Sequence, residues 1–135
     1  MRVYLNTDGN TKETNPGEAA IGFVIRDQDE SILLQHGEPI GWASNNECEY
    51  SAVIAGLYHC HLLGAEEVEV RADSQLVVRQ MSGHWQVRHP RIKQFHREAS
   101  KEVERFKKVT FTWIPRAKNS LADKLANIAL GKEEK

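Results

Sequence analysis

Cysteine and proline are scarce, with two Cys and four Pro in 135 residues. Two thiols exclude the disulfide framework of a small secreted scaffold. Cys48 and Cys60 fall on one expected helix, roughly 18 Å apart at the helical rise, and cannot be bridged. They are expected to be small buried apolar residues. His59-Cys60-His61 has no second ligand pair at zinc spacing. No apolar run is long enough to span a bilayer. The opening Met1-Arg2-Val3-Tyr4-Leu5 enters a strand pattern directly, without the apolar stretch of a secretory leader. The expectation is a soluble, cytoplasmic, monomeric chain with no membrane partner.

A net charge of −1 is nearly an absence of charge, but it hides a division. Residues 1–78 hold 13 acids against 4 Lys/Arg, whereas residues 79–118 hold 3 acids against 11 Lys/Arg. The second half therefore offers a local basic surface, which is what a nucleic-acid partner requires.

The length suits one domain. Arg2–Thr7 alternates as a strand, and Asp8-Gly9-Asn10 reads as the turn that ends it. Ala19–Arg26 and Ile32–Ile40 complete an antiparallel meander. Asn45-Asn46 are expected to cap a helix with Tyr50, Val53, Ile54 and Leu57 on its apolar face, stopped by Gly64. Val68–Ala72 is a strand, Ser74–Met81 a short helix, and Pro90 opens a helix through Phe106. Val109–Ile114 is the fifth strand, and Asn119 is expected to cap the last helix. The order β-β-β-α-β-α-α-β-α predicts an α/β fold: one five-stranded mixed sheet with helices on both faces. It occupies residues 1–131, with 132–135 as a frayed charged tail.

Four acids sit near element ends. Asp8 is expected to end the first strand and Asp73 the fourth. Glu49 lies in the first turns of the long helix, and Asp123 near the start of the last. Such ends are where sites gather around a rigid scaffold. Each acid alone is compatible with capping, dipole or turn roles. Gathered together, they suit Mg²⁺ or Mn²⁺, which take oxygen ligands. Two such ions can activate a water and stabilise a leaving oxygen at a phosphodiester.

Spacing alone does not establish convergence. The blocks Thr7-Asp8-Gly9-Asn10, Asn45-Asn46-Glu47-Cys48-Glu49-Tyr50, Ala72-Asp73-Ser74-Gln75 and Asn119-Ser120-Leu121-Ala122-Asp123-Lys124-Leu125-Ala126 occur in this order. On them the chain resembles type I ribonuclease H over nearly its whole length, in the compact branch of archaea and many bacteria that lacks the basic handle. The resemblance implies an endonuclease that hydrolyses the RNA strand of RNA/DNA hybrids with two metal ions. Asp8 would bridge both ions, Glu49 and Asp73 would hold one, and Asp123 the other. Glu47 is read as a solvated first-turn acid.

The resemblance also makes Gly9, Asn10, Asn45, Asn46 and Gln75 substrate contacts, and amides suit a 2′-hydroxyl that both donates and accepts. Arg116 and Lys118, in the loop before Asp123, are placed to meet a phosphate. That loop holds Pro115-Arg116-Ala117-Lys118 where many members have a histidine. The stretch His84–Arg97, with Trp85, Arg88, Arg91 and Lys93, is either a phosphate-contact region or an ordinary basic helix whose Trp85 packs on the core. Three other readings stand beside the hybrid endonuclease. A nuclease of this fold could cut other duplexes, and a non-catalytic binding module would be expected to have lost an acid. A phosphatase with Asp8 as nucleophile would be expected to have an aspartate where Asn10 stands.

Overall fold

The computed structural model describes residues 1–132. Strands β1 (Arg2–Lys12), β2 (Gly17–Arg26) and β3 (Ile32–Ala43) form the meander, and β4 (Glu67–Ala72) and β5 (Lys108–Trp113) complete one sheet. The strand order is β3-β2-β1-β4-β5. The β1–β2 and β2–β3 pairs are antiparallel, while β1–β4 and β4–β5 are parallel. Helices α1 (Asn45–Leu62), α2 (Gln75–Met81), α3 (Pro90–Val103) and α4 (Ser120–Ala129) follow the expected order. Lys132 still touches the body, its ammonium 3.3 Å from the Thr11 carbonyl; the rest of the expected tail, 133–135, lies outside the described residues.

Strand alternation divides the sheet into two faces. Leu5, Phe23 and Ile25 point to one side, where they bury completely against Tyr50, Val53 and Leu57 of α1. Full burial of such side chains is worth about 1.5–3 kcal/mol each. Helix α3 packs on α1 through Ile92 and Ala99 rather than on the sheet. The opposite face carries α4. It lies so close that a Cβ at Gly22 would sit 2.2 Å from the Ala122 carbonyl oxygen, and one at Gly37 2.4 Å from that of Leu125. These glycines set the height of α4, and so of Asp123, above the sheet.

Several boundaries differ from the sequence expectation, and two bear on the site. Asp8 does not end β1. Its pairing with β2 continues from Asp8↔Gly22 to Lys12↔Glu18, whereas the parallel pairing with β4 stops at Thr7↔Ala72. Asp8 is therefore the first residue past the point where the sheet loses a strand, with Asp73 directly after β4. Gly9 has nothing to do with a turn: a Cβ there would lie 2.5 Å from the Cys48 carbonyl, so it admits the start of α1.

The second difference is the cap of α1. Ser44 caps it, not Asn45 or Asn46: its hydroxyl accepts from Glu47 N at 3.1 Å, and Glu47 Oε1 accepts from Ser44 N at 2.8 Å. This is the reciprocal capping box of a Ser-x-x-Glu sequence. Helix α3 also ends at Val103, short of Phe106.

Candidate active site

The missing strand partner opens a cleft of about 450 Å³ above the end of β4, lined by Asp8, Glu49, Asp73, Asn10, Asn45, Arg116 and Asn127 among others. Ligand oxygens of Asp8, Glu49 and Asp73 all lie within 4.8 Å of one another. Each comes from a different element: mid-β1, the second turn of α1, and the residue after β4. Glu49 is fixed by the Gly9 backbone, whose N–H donates to Oε1 at 2.7 Å. Asp8 is 2 % exposed, and its Oδ2 has no hydrogen-bond partner among the described residues.

Gathering three carboxylates has an electrostatic cost. Burial, and then the charges of Glu49 and Asp73, push the Asp8 carboxyl from its ordinary 3.8 up to about 10. Burial also raises Glu49, to about 7, although the Gly9 amide and Arg116 pull the other way. Asp73 is raised as well, again chiefly by burial, while Asn119 and Arg116 oppose the shift. A buried, unpartnered carboxylate oxygen with two acids beside it fits a hard divalent cation, whose charge reverses this penalty.

Asp123, on the first turn of α4, lies outside that tight set but close enough to help raise the Asp8 and Asp73 carboxyls. Asn10 Nδ2 donates to its Oδ1 at 2.9 Å, Asn127 Nδ2 donates to its Oδ2 at 3.2 Å, and Arg116 approaches Oδ1 at 3.9 Å. Of the other expected contacts, Asn45 lines the cleft with Oδ1 taking the Thr11 hydroxyl at 2.9 Å, and its Nδ2 donates to no partner among the described residues. Gly9 serves Glu49 through its N–H. Asn46 and Lys118 are exposed and lie outside the cleft lining, whereas Arg116 is part of it. Gln75 lines a neighbouring groove with Arg79, His84 and Trp113, separate from the carboxylates.

Three residues matter more than the sequence indicated. Glu47 is buried rather than solvated: one carboxylate oxygen closes the cap, and the other pairs with the Arg91 guanidinium. Two hydrogen bonds to the cap and the Arg91 charge outweigh burial and hold Glu47 below the usual carboxylate range. The Ser-x-x-Glu signal was present in the sequence, masked by the adjacent asparagines.

Asn119 occupies the N-cap position of α4, as expected, but its side chain makes no capping hydrogen bond. Its side chain is fully buried, where Nδ2 donates to the Thr7 carbonyl at 2.8 Å and to Asp73 Oδ2 at 3.3 Å, and Oδ1 accepts from Asn6 at 3.2 Å. It thus ties β1, β4 and α4 together and steadies Asp73. No sequence signal separates it from a capping asparagine. Asn127 is the third: it lines the cleft and donates to Asp123 Oδ2. Trp85 is half out in solvent at 45 %, with the Arg79 guanidinium 5.8 Å from its ring centre, so it does not pack on the core as one reading had it.

A reverse transcriptase-like family model matches residues 6–129. A bifunctional protein of Mycobacterium tuberculosis is 42% identical over 131 residues, 96% of this chain and 36% of that protein, so the chain spans little more than a third of that relative. Ribonuclease HI of Halobacterium salinarum is 40% identical over 129 residues, covering 96% of this chain and 64% of that protein. Among solved structures, RNase H1 from the same archaeon matches with a TM-score of 0.94 at 39% identity, over 97% of this chain and 98% of that one. LC11-RNase H1, solved in complex with an RNA/DNA hybrid, matches with a TM-score of 0.91 at 38% identity over 96% of each chain.

Proposed function

The chain belongs to the ribonuclease H family, and from that premise we propose that it is a metal-dependent endonuclease cutting the RNA strand of RNA/DNA hybrids. The observation that carries this reading is the Asp8–Glu49–Asp73 cluster within 4.8 Å, with a buried, unpartnered oxygen on Asp8. A relative bound to an RNA/DNA hybrid supports the substrate class. Asp8, Glu49 and Asp73 would hold one divalent cation, and Asp8 with Asp123 a second, Mg²⁺ and Mn²⁺ being the ions this oxygen-only set suits. Bound there, the cations would supply an activated water and charge stabilisation at the leaving oxygen.

The chain's own residues supply the rest. Asn45, oriented by Thr11, presents an N–H donor to the cleft, where a 2′-hydroxyl can accept it. Arg116 brings a cation to the rim for a phosphate. The cleft is open and polar, as a duplex backbone requires, and no histidine lines it among the described residues.

The deciding assay uses end-labelled RNA/DNA, RNA/RNA and DNA/DNA duplexes with Mg²⁺, Mn²⁺ or EDTA. Hybrid cleavage is expected to leave 3′-hydroxyl and 5′-phosphate ends and to cease in EDTA. Replacing the 2′-hydroxyls around the cut by hydrogen should slow cleavage roughly 5- to 150-fold, the equivalent of leaving one polar group of the cleft unsatisfied. Cyclic 2′,3′-phosphate products, cleavage undiminished by EDTA, or equal cutting of all-DNA duplex would refute the reading.

The basic segment gives a separate expectation. Arg91 is engaged by Glu47, while Arg88 and Lys93 are exposed cations just before and within the first turn of α3. Changing Arg88 and Lys93 to alanine should raise KM, leave kcat nearly unaltered, and flatten the log–log salt dependence by roughly 0.9 for each phosphate no longer neutralised. A double variant with the wild-type salt slope would mean this surface never meets the substrate.

A further inference from the structure

Asp123 is the site carboxylate carried by α4, outside the tight set of three, so something must fix its rotamer. Helix α4 places residue 127 one turn beyond residue 123 on the same face. There Asn127 Nδ2 donates to Asp123 Oδ2 at 3.2 Å, while Asn127 Oδ1 accepts from Asn10 Nδ2 at 3.0 Å. The same Asn10 Nδ2 donates to Asp123 Oδ1 at 2.9 Å. Three side chains thus close a ring. Its sense is dictated by chemistry: reversing Asn127 would set its carbonyl against the carboxylate and its NH₂ against the donor of Asn10. Both ends of the Asn127 amide are used.

The ring contributes little to holding α4 down. That helix is seated by Ala122 and Ala126, buried at 1 % and 0 %, and by its approach to Gly22 and Gly37. Asn127 itself is half-buried at the cleft wall.

We propose that Asn127 is a positioning residue for the reaction: it fixes the Asp123 carboxylate for a divalent cation and couples it to Asn10 on β1. This rests on the carboxylate site described under the proposed function. It acts through Asp123, not on the scissile phosphate. Loss of such an outer partner typically costs 10- to 100-fold in metal affinity or activity.

The test is a double-mutant cycle on the full chain with Asn127→Ala, Asp123→Asn and the pair, read by calorimetric titration of Mn²⁺, by the Mn²⁺-induced melting shift, and by hybrid cleavage. Asn127→Ala should leave the metal-free melting temperature near wild type and weaken Mn²⁺ binding about 10-fold. It should lower kcat with the hybrid KM unaltered. In the Asp123→Asn background the same change should do nothing further, because its target is gone. Wild-type Mn²⁺ affinity in Asn127→Ala, or an equal loss in both backgrounds, overturns the proposal while leaving the carboxylate site intact. A wild-type chain that takes up no Mn²⁺ overturns the site reading, and the proposal with it.

Discussion

Asp8→Asn is expected to melt higher than wild type in EDTA, to gain little from metal, and to cleave hybrid at background level. The substitution keeps the shape of a side chain that is 2 % exposed and removes a carboxyl that the folded protein can keep only by crowding a third charge into the cluster or by holding a proton. Two unit charges 4 Å apart repel by about 4 kcal/mol at an effective dielectric of 20, which water and shifted protonation reduce to ~1–2 kcal/mol of gained stability. In Mg²⁺ or Mn²⁺ the order should reverse. A cation that binds only the folded site adds RT ln(1 + [L]/Kd) to the wild type, and the variant has lost a shared ligand.

The pH dependence follows from the same group. Its folded-state pKa lies near 10, above the ordinary 3.8, so between those values the folded protein holds a proton that the unfolded chain has released. Metal-free wild type should therefore lose stability as pH rises through this window, and the gap to Asp8→Asn should widen from pH 5 to pH 8. Near pH 3, where both states are protonated, the gap should close. Calorimetry on both proteins, with and without metal, reads all of this. A variant that melts lower and responds to metal like wild type would make Asp8 an ordinary strand residue.

What the sequence made legible was whatever rests on period and local order. The alternation of β1 and β2, the apolar face Tyr50–Val53–Leu57 and the stop at Gly64 are local signals, and they placed five strands and four helices in order. The four acids were legible as a motif. Their convergence was not, because it depends on where β4 stops pairing with β1, and that is a tertiary fact.

The misreadings have one cause. Asparagine, serine and glycine serve either the local backbone or a distant partner, and sequence shows only the first option. Asn119 looked like a cap, yet it reaches the Thr7 carbonyl 112 residues away. Glu47 looked solvated, yet it meets Arg91, 44 residues on. Asp8-Gly9-Asn10 had the composition of a turn, and the strand runs straight through it.

Gly9 is where that distinction has its largest consequence, and Gly9→Ala is expected to cost far more activity than stability. The new Cβ would lie 2.5 Å from the carbonyl carbon and oxygen of Cys48 and 2.7 Å from the Glu49 nitrogen. All three are backbone atoms, so no side-chain rotation relieves the clash; the first turns of α1 must shift against β1. Such overpacking costs about 1–3 kcal/mol, which a single-domain protein of this size can survive. The shift, however, falls on the segment that carries Glu49 and stretches its 2.7 Å hydrogen bond from the Gly9 amide. A displacement near 1 Å at a reacting centre costs roughly 100-fold in rate. The expected result is a folded protein with kcat down about 100-fold or more and a shrunken melting response to Mn²⁺. Gly41→Ala supplies the control. Gly41 has φ +86° with nothing within 4 Å of a new Cβ, and it does not line the cleft. Alanine there incurs the left-handed backbone penalty, about 1–2 kcal/mol, without touching the site. If Gly9→Ala and Gly41→Ala lose similar stability and both keep wild-type kcat, then the contact between β1 and α1 does not set the geometry of Glu49.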